Sequence, residues 1–353
     1  FAGTEREVYF SIDDGANWQS LRMNMPATSI RDLVIHEDDL VIGTHGRSIW
    51  IMDNINPLRE LAKSGQTHLV KPPVAIRVRD NMFLDTPILP EEPTGKNPPD
   101  GAILDYTLAQ AANEVVLQIV GADGSIIRTY SSKDKPEVLD TASMQYPTYW
   151  FRPEQKISTT AGHHRFIWDL KYAPPVGAPR QHSISAVYQN TPTSPQGPLV
   201  TPGSYTVRLV VDGKTMEQSL EVKMDPRVST SAADLQSQFD YSMQCYNAYH
   251  DLQKMRESIE AQLNGKKKLR KAQYTSLRDM VGEGAPENPD IMYGSITEVA
   301  AEKETIIGLQ DKFLHMQLVL QNADVKPTSQ AMDGVKRLLT IKTEMEKKRE
   351  GLK

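Results

Sequence analysis

The stretch FAGTEREVYFSIDDGANW, Phe1 to Trp18, is echoed by VIGTHGRSIWIMDN, Val41 to Asn54. The two align without gaps at an offset of 40 residues: Gly3 falls on Gly43, Thr4 on Thr44 and Asp13 on Asp53. Apolar or aromatic residues match at Phe1/Val41, Tyr9/Ile49 and Phe10/Trp50. Between the copies, IRDLVIHEDDLVIGT (Ile30 to Thr44) holds two short apolar runs joined by the polar turn Glu37-Asp38-Asp39, the signature of paired strands. A repeat of about 40 residues made of short strands has the spacing of a propeller blade, and about four blades are needed to close a ring. Residues 1–60 are therefore expected to be terminal propeller blade material whose companion blades precede Phe1.

Within this segment, SIDDGANW (Ser11 to Trp18) reads S-x-D-x-G-x-x-W. Asp13 is placed to accept backbone N–H groups across a turn, and Gly15 can supply a positive φ. Trp18 opens the next strand with its ring over the turn. The pattern resembles the Asp-box of BNR-type propellers. That implies a hairpin turn between a blade's third and fourth strands and an architectural role for Ser11, Asp13, Gly15 and Trp18. Trp18 is expected to be buried, so that truncating it to alanine costs about 3 kcal/mol or more. The second copy keeps Asp53 but not the glycine and tryptophan, and Pro57 marks an exit from the sheet.

The 353 residues correspond to two to three domains, and 39% hydrophobic with 24% charged residues is ordinary globular composition. A net charge of -5 gives no electrostatic pointer to nucleic acid. The single cysteine, Cys245, excludes an internal disulfide framework and a cysteine-based zinc cluster. No apolar run reaches the roughly 18 residues of a membrane span, so no transmembrane segment is expected. The chain opens without Met inside what reads as a strand, and no secretory leader pattern stands there. This is how a processed fragment would begin.

From residue 61 to 228 the pattern is one of short strands and turns, expected to form one Ig-like sandwich. HLVKPPVAIRVRD reads as a first strand, and PILPEEPTGKNPPDG as a linker. Asp123-Gly124 and Asp212-Gly213 read as tight hairpin turns between alternating runs. Phe166, Trp168 and Leu170 share one face, as do Tyr205, Val207, Leu209 and Val211. Two long loops, about 132 to 162 and 173 to 202, interrupt the strands.

From 229 to 353 the period is helical, and an antiparallel helical bundle is expected. Ser231 with Asp234 and Ser295 with Glu298 read as capping boxes, and Asn264-Gly265 as a helix end. Leu235, Phe239, Met243, Tyr246, Leu252, Met255, Ile259 and Leu263 form the first stripe. Ile296, Val299, Ile306, Phe313, Met316 and Leu320 form the second, and Val335, Leu338, Ile341 and Met345 the last. A short extra segment lies near Tyr274 to Met280. The run KKKLRK at 266–271 reads as a solvated inter-helix stretch, with polyanion or lipid-headgroup contact as the minority reading.

The order of THGRSIWIMD, GKNPPDGA, RFIWDL, PGSYTVRL and DPRVSTSAADLQ resembles the C-terminal third of large bacterial exported proteins. Those carry sortilin-like or BNR-repeat β-propellers and are often labelled glycosyl hydrolases. The resemblance implies a multidomain α+β chain: terminal propeller blade(s), an Ig-like (FlgD-like) β-sandwich and a helical bundle. It also implies export to the periplasm, cell surface or medium. Its hydrolase label rests on fold, which does not fix a reaction.

No residue pattern marks a catalytic site. A glycosidase needs two carboxylates flanking one bond, and none of the abundant carboxylates is singled out. HExxH, GxSxG, P-loop and GxGxxG patterns are absent from the sequence. His163 and His164, adjacent in a strand, point to opposite faces and make a poor chelating pair, so neither metal nor cofactor is expected. His45 and Arg47, in a loop after a strand, are candidates for ligand or inter-blade contact, Arg47 through a neighbouring carboxylate. Tyr146, Tyr149 and Trp150 are expected to pack against the neighbouring propeller, with a surface for protein or carbohydrate as the other candidate reading. The expected role is a non-catalytic C-terminal module acting in assembly or ligand binding, its partners being the preceding blades. The alternative is part of a glycoside hydrolase whose catalytic residues lie in those blades.

Overall fold

The computed structural model describes residues 1–61, 65–79, 91–92, 95, 98–136, 148–150, 153–179, 193–265, 269–282 and 304–352. The chain is of mixed α+β class and forms two compact units. One holds Phe1–Leu170 and Pro202–Asp225. The other holds Pro226–Lys353 with the described residues of Lys171–Ile184 and Pro192–Thr201.

The first unit begins with two antiparallel three-stranded sheets. One is β1 (Ala2–Gly3), β2 (Val8–Phe10) and β3 (Gln19–Ser20); the other is β4 (Ile30–His36), β5 (Asp39–Thr44) and β6 (Ile49–Met52), each in sequential order. They share a core of Val8, Phe10, Leu21, Met25, Leu40, Ile42 and Ile55. Ile30 lies over Gly3, where a Cβ would come within 2.7 Å of its Cγ2, so glycine is what lets the sheets approach.

The repeat is visible in the bends. Thr4 Oγ1 accepts the Glu7 N–H at 3.1 Å, and Thr44 Oγ1 accepts the Arg47 N–H at 3.2 Å. The gapless alignment nevertheless ends at Thr44. Gly3 stands opposite Val8 but Gly43 opposite Ile49, so the second bend is one residue longer, accommodated by Gly46 and Ser48 at positive φ. Ile49 therefore occupies the place of Val8, Trp50 that of Tyr9, and Ile51 that of Phe10. The sequence pairings Tyr9/Ile49, Phe10/Trp50 and Asp13/Asp53 are displaced by one residue.

After β6 the chain turns through Asn54 into a single helical turn, α1 (Asn56–Arg59). Two facing sheets follow. β7 (His68–Leu69), β9 (Ala102–Leu108) and β12 (Gly162–Trp168) form one, in the order β12-β9-β7. β8 (Ala75–Arg77), β10 (Val115–Val120), β11 (Ile126–Ser131), β13 (Gly203–Val211) and β14 (Lys214–Met224) form the other, in the order β11-β10-β13-β14-β8. Phe166 against Tyr130 and Trp168 against Tyr205 carry the contact between them.

Two sequence readings need correction. HLVKPPVAIRVRD is two strands: β7 pairs β9 and β8 pairs β14 in the opposite sheet, in parallel. The Pro72-Pro73 pair cannot donate to a ladder and breaks the run between the layers. Asp123-Gly124 lies in a five-residue bend, Gly121 to Ser125, closed by the Gly121 N–H on Ser125 O and by Asp123 Oδ1 accepting the Ser125 N–H. Asp212-Gly213 is the tight two-residue turn expected, both residues at positive φ.

The sheet pairs of this unit meet at Asp105, whose side chain is fully buried. Its cross-strand partner Arg165 grips it with Nε at 2.9 Å and Nη2 at 3.0 Å. Asn54 Nδ2 donates to it at 2.7 Å, and His163 Nε2 stands 3.3 Å away. Asn54 is itself fully buried and left-handed (φ 61°); its N–H donates to Asp39 Oδ1 and its Oδ1 accepts the Asn56 N–H.

In the second unit, α2 (Ala232–Leu263), α3 (Lys271–Val281), α4 (Ile306–Gln321) and α5 (Ser329–Glu350) pack around Leu252, Ile259, Leu277, Leu309, Phe313 and Val335. Ser231 caps α2 and Asn264 ends it; Thr305 and Thr328 cap α4 and α5. Contacts Gln310–Gln253 and Gln321–Ser242 make α4 antiparallel to α2, and Lys342–Asp251 with Arg349–Gln262 make α5 parallel to it. The bundle is thus up-down-up. Ile296, Val299 and the Ser295/Glu298 capping box lie outside the described residues.

The buried face of α2 runs Leu235, Gln238, Ser242, Cys245, Ala248, Tyr249, Leu252 and Ile259, leaving Phe239, Met243 and Tyr246 at its flank. Of its polar members, Gln238 serves non-helical backbone, Nε2 donating to Ala323 O and Val325 O, while the Ser242 hydroxyl donates to Gln238 O of its own helix. Gln317 Nε2 reaches Gln196 O, Gln321 Oε1 accepts Leu199 N–H, and Tyr246 and Tyr249 hydroxyls donate to Ala173 O and Val176 O. Residues 171–179 and 193–201, part of the second long loop of the sequence reading, therefore fold with the helices.

Asn54→Gly should lose about 2 kcal/mol through the deleted buried bonds. Asn54→Ala should lose about 1 kcal/mol more, because a Cβ without side-chain bonds pays for positive φ. Urea unfolding of both variants checks the order; equal losses would mean that the backbone there is unstrained.

Candidate functional site

The S-x-D-x-G-x-x-W turn is self-contained. Asp13 Oδ1 accepts the Asn17 N–H and the Ser11 hydroxyl, each at 2.8 Å, and Oδ2 accepts Asn17 Nδ2 at 2.6 Å; Ser11 Oγ accepts the Gly15 N–H. Hydrogen bonds from the Asn17 side chain and backbone and from Ser11 hold the Asp13 carboxyl below its usual range. Gly15 has φ 91°, and the Trp18 ring lies 3.6 Å from where its Cβ would stand. Both carboxylate oxygens of Asp13 are thus engaged by the turn. Trp18 covers the turn but is 49% exposed, so the cost expected for a buried ring does not apply.

His45 and Arg47 lie exposed on the bend between β5 and β6. Their backbone is engaged: His45 O accepts the Thr28 hydroxyl and Arg47 O accepts Trp50 Nε1. Among the described residues, the Arg47 guanidinium has no carboxylate partner. Tyr149, in a short 3-10 turn (Thr148–Trp150), is 61% exposed. Tyr146 and the Trp150 side chain lie outside the described residues, so the three aromatics are not brought together here.

The charged cluster that the sequence did not bring together is Asp105, Arg165 and His163, with Asp39 and Asp53 beside it. Burial raises the Asp105 carboxyl, but hydrogen bonds from His163 and Arg165 outweigh it and bring it below its usual range. Asp53 is raised, first by burial and then by the charge of Asp39, against the pull of Arg165. Opposed shifts on neighbouring carboxylates can mark acid–base pairs. Here the low member, Asp105, has no exposed side-chain surface and both its oxygens are taken, so it cannot reach a substrate. Among the described residues no group of three His, Cys, Asp or Glu side chains could hold a metal ion, and no helix is long and apolar enough to cross a membrane.

What remains is a group of apolar side chains. On the face of the β4-β5-β6 sheet turned away from the first sheet, Val34, Val41, Ile49 and Ile51 stand with Gly43, beside the polar Asp32, His36 and Asp39. Val34 is 51%, Ile49 71% and Ile51 55% exposed. Their counterparts in the first repeat, Val8 and Phe10, are 0% and 6% exposed because the second sheet covers them. Among the described residues no strand pairs the outer edge of β6, four apolar residues Ile-Trp-Ile-Met, where β2 carries β3. The sequence held this signal in the repeat itself, but the one-residue slip hid which residues correspond.

The chain matches no protein-family model and no curated protein. Among solved structures, CopC from Methylosinus trichosporium OB3b is matched at 11% identity over 47% of this chain and 100% of that chain, with a TM-score of 0.18. A likeness at that score carries no architectural meaning.

Two outcomes follow from the geometry. Trp18→Ala should cost about 1 kcal/mol, in keeping with a half-exposed ring, read as a small drop in Tm; a loss above about 3 kcal/mol would show the ring to be buried. Asp105, ionised at lower pH folded than unfolded, stabilises fully above about pH 4, and that contribution is lost as pH falls through its depressed native value. Denaturation across pH 2 to 7 should show this acid limb for the wild type and a flatter one for Asp105→Asn. Identical limbs would remove Asp105 from the acid response.

Proposed function

We propose that residues 1–60 are terminal blade material of an Asp-box β-propeller. On this reading the facing sheets are its Ig-like partner, and the chain is a non-catalytic C-terminal module of an exported propeller protein. Its role is assembly: the uncovered face of the second sheet receives a further blade. The observation that carries this reading is the contrast between Val8 and Phe10, buried by the next repeat, and Ile49 and Ile51, apolar at the same positions yet exposed. Monomeric surfaces seldom leave such an apolar sheet face and strand edge open. Gly43 repeats the device as well. In the first repeat Gly3 makes room for Ile30 of the following sheet, whereas the nearest atoms to a Cβ at Gly43 would be those of Asp32 in its own sheet, at ordinary contact distance.

Ile49→Lys with Ile51→Lys should leave the Tm of the 353-residue chain within about 2 °C, since exposed positions tolerate charge. In protein recovered from the natural source, native mass spectrometry should find this sequence joined or bound to further repeats. In the second case the double variant should fail to retain them. A folded, monomeric chain of this length recovered alone would sink the reading.

A further inference from the structure

If the uncovered face takes a further repeat, as proposed above, the outer edge of β6 still has to be filled, and the first repeat shows with what. β3 runs antiparallel to β2, with Ser20 opposite Tyr9 and Gln19 opposite Phe10. The Leu21 N–H then donates to Val8 O at 2.8 Å. Alternate residues of a strand turn their backbone groups to the same side, so Val8 and Phe10 address β3 while Tyr9 addresses β1. Gln19 and Ser20 are exposed. Leu21 is 7% exposed and packs in the core that holds Val8 and Phe10.

The second repeat keeps the accepting half of this arrangement. Ile49 and Ile51 stand where Val8 and Phe10 do, so their N–H and C=O groups point away from β5. Among the described residues no backbone hydrogen bond meets them from that side. Ile49–Met52 holds no charge, proline or glycine. Charges and prolines are what natural edges use to refuse a strand. A second copy of this chain has no spare strand of the β3 pattern among its described residues, since its own β3 is already paired with β2.

We propose that β6 accepts an extended strand from a further Asp-box repeat, running antiparallel to it. Its pattern is that of β3: polar residues opposite Ile51 and Trp50, then an apolar residue opposite Ile49 whose N–H donates to Ile49 O. Backbone pairing supplies the attraction, and the apolar residue sets the register.

Amide hydrogen exchange, resolved at Ile49 and Ile51, tests this on three samples. They are the 353-residue chain alone, the same chain with a millimolar peptide spanning Ala16 to Met23 (ANWQSLRM), and the protein from its natural source. In the chain alone both amides should exchange fast, with Trp50, turned to β5, as the slow reference. The peptide and the natural assembly should each slow Ile49 and Ile51 about tenfold or more, and the peptide carrying Leu21→Lys should not. Slow amides in the dilute chain alone would mean that its own residues cover the edge, and slowing that grows with chain concentration would mean a second copy does. Either result overturns the proposal, as does equal protection by the Leu21→Lys peptide. A natural assembly that retains further repeats yet leaves both amides fast also overturns it, and leaves the reading of the sheet face standing.

Discussion

Asp105 has no contact with water, and its two oxygens are shared among Arg165, Asn54 and His163. A carboxylate taken from water is tolerable only when its partners nearly replace the lost solvation. The partners come from β12 and from the turn that ends the β4-β5-β6 sheet, so the group is stable only when both are in place. Asn54 carries the constraint outward. It must be left-handed to leave β6, and its bonds to Asp39, Asp105 and Asn56 fix the direction in which the chain leaves. That departure takes the backbone into α1, away from the place where a third outer strand would pair with β6. The edge that no described strand covers and the place of that sheet beside the facing sheets thus have one cause.

The helical unit is held by a different rule. Glutamine is long enough to reach past its own helix and carries both a donor and an acceptor. Gln238, Gln317 and Gln321 use that reach to satisfy carbonyls and amides of non-helical segments. Backbone that would otherwise be buried unpaired is thereby accepted against a helix face.

The strand content of the first unit, the Asp212-Gly213 turn and the caps at Ser231 and Asn264 were readable because local chemistry decides them. What escaped depended on partners distant in sequence. Pro72-Pro73 looked like an interruption within one strand, and only pairing shows that it separates two sheets. Gln238 and Ser242 did not count towards an apolar stripe, so the buried face of α2 was placed slightly off. The repeat was legible, but not the extra residue in its second bend, since nothing in Thr44 to Ser48 announces a longer turn. Asp105 and Asn54 were invisible as a pair, being 51 residues apart. Trp18 was identified correctly as lying over its turn, but sequence does not reveal whether anything lies over Trp18.

Gly43 shows how tolerance and importance can diverge. Within this chain its hydrogen could become a methyl at ordinary van der Waals contact with Asp32, so a survey of folding would score the position as permissive. Gly3, chemically identical and in the same place of the preceding repeat, would score as essential. The difference lies in which neighbour happens to be present during the measurement. On the proposed reading, in which a further blade packs on that face, the outermost repeat under-reports its own constraints.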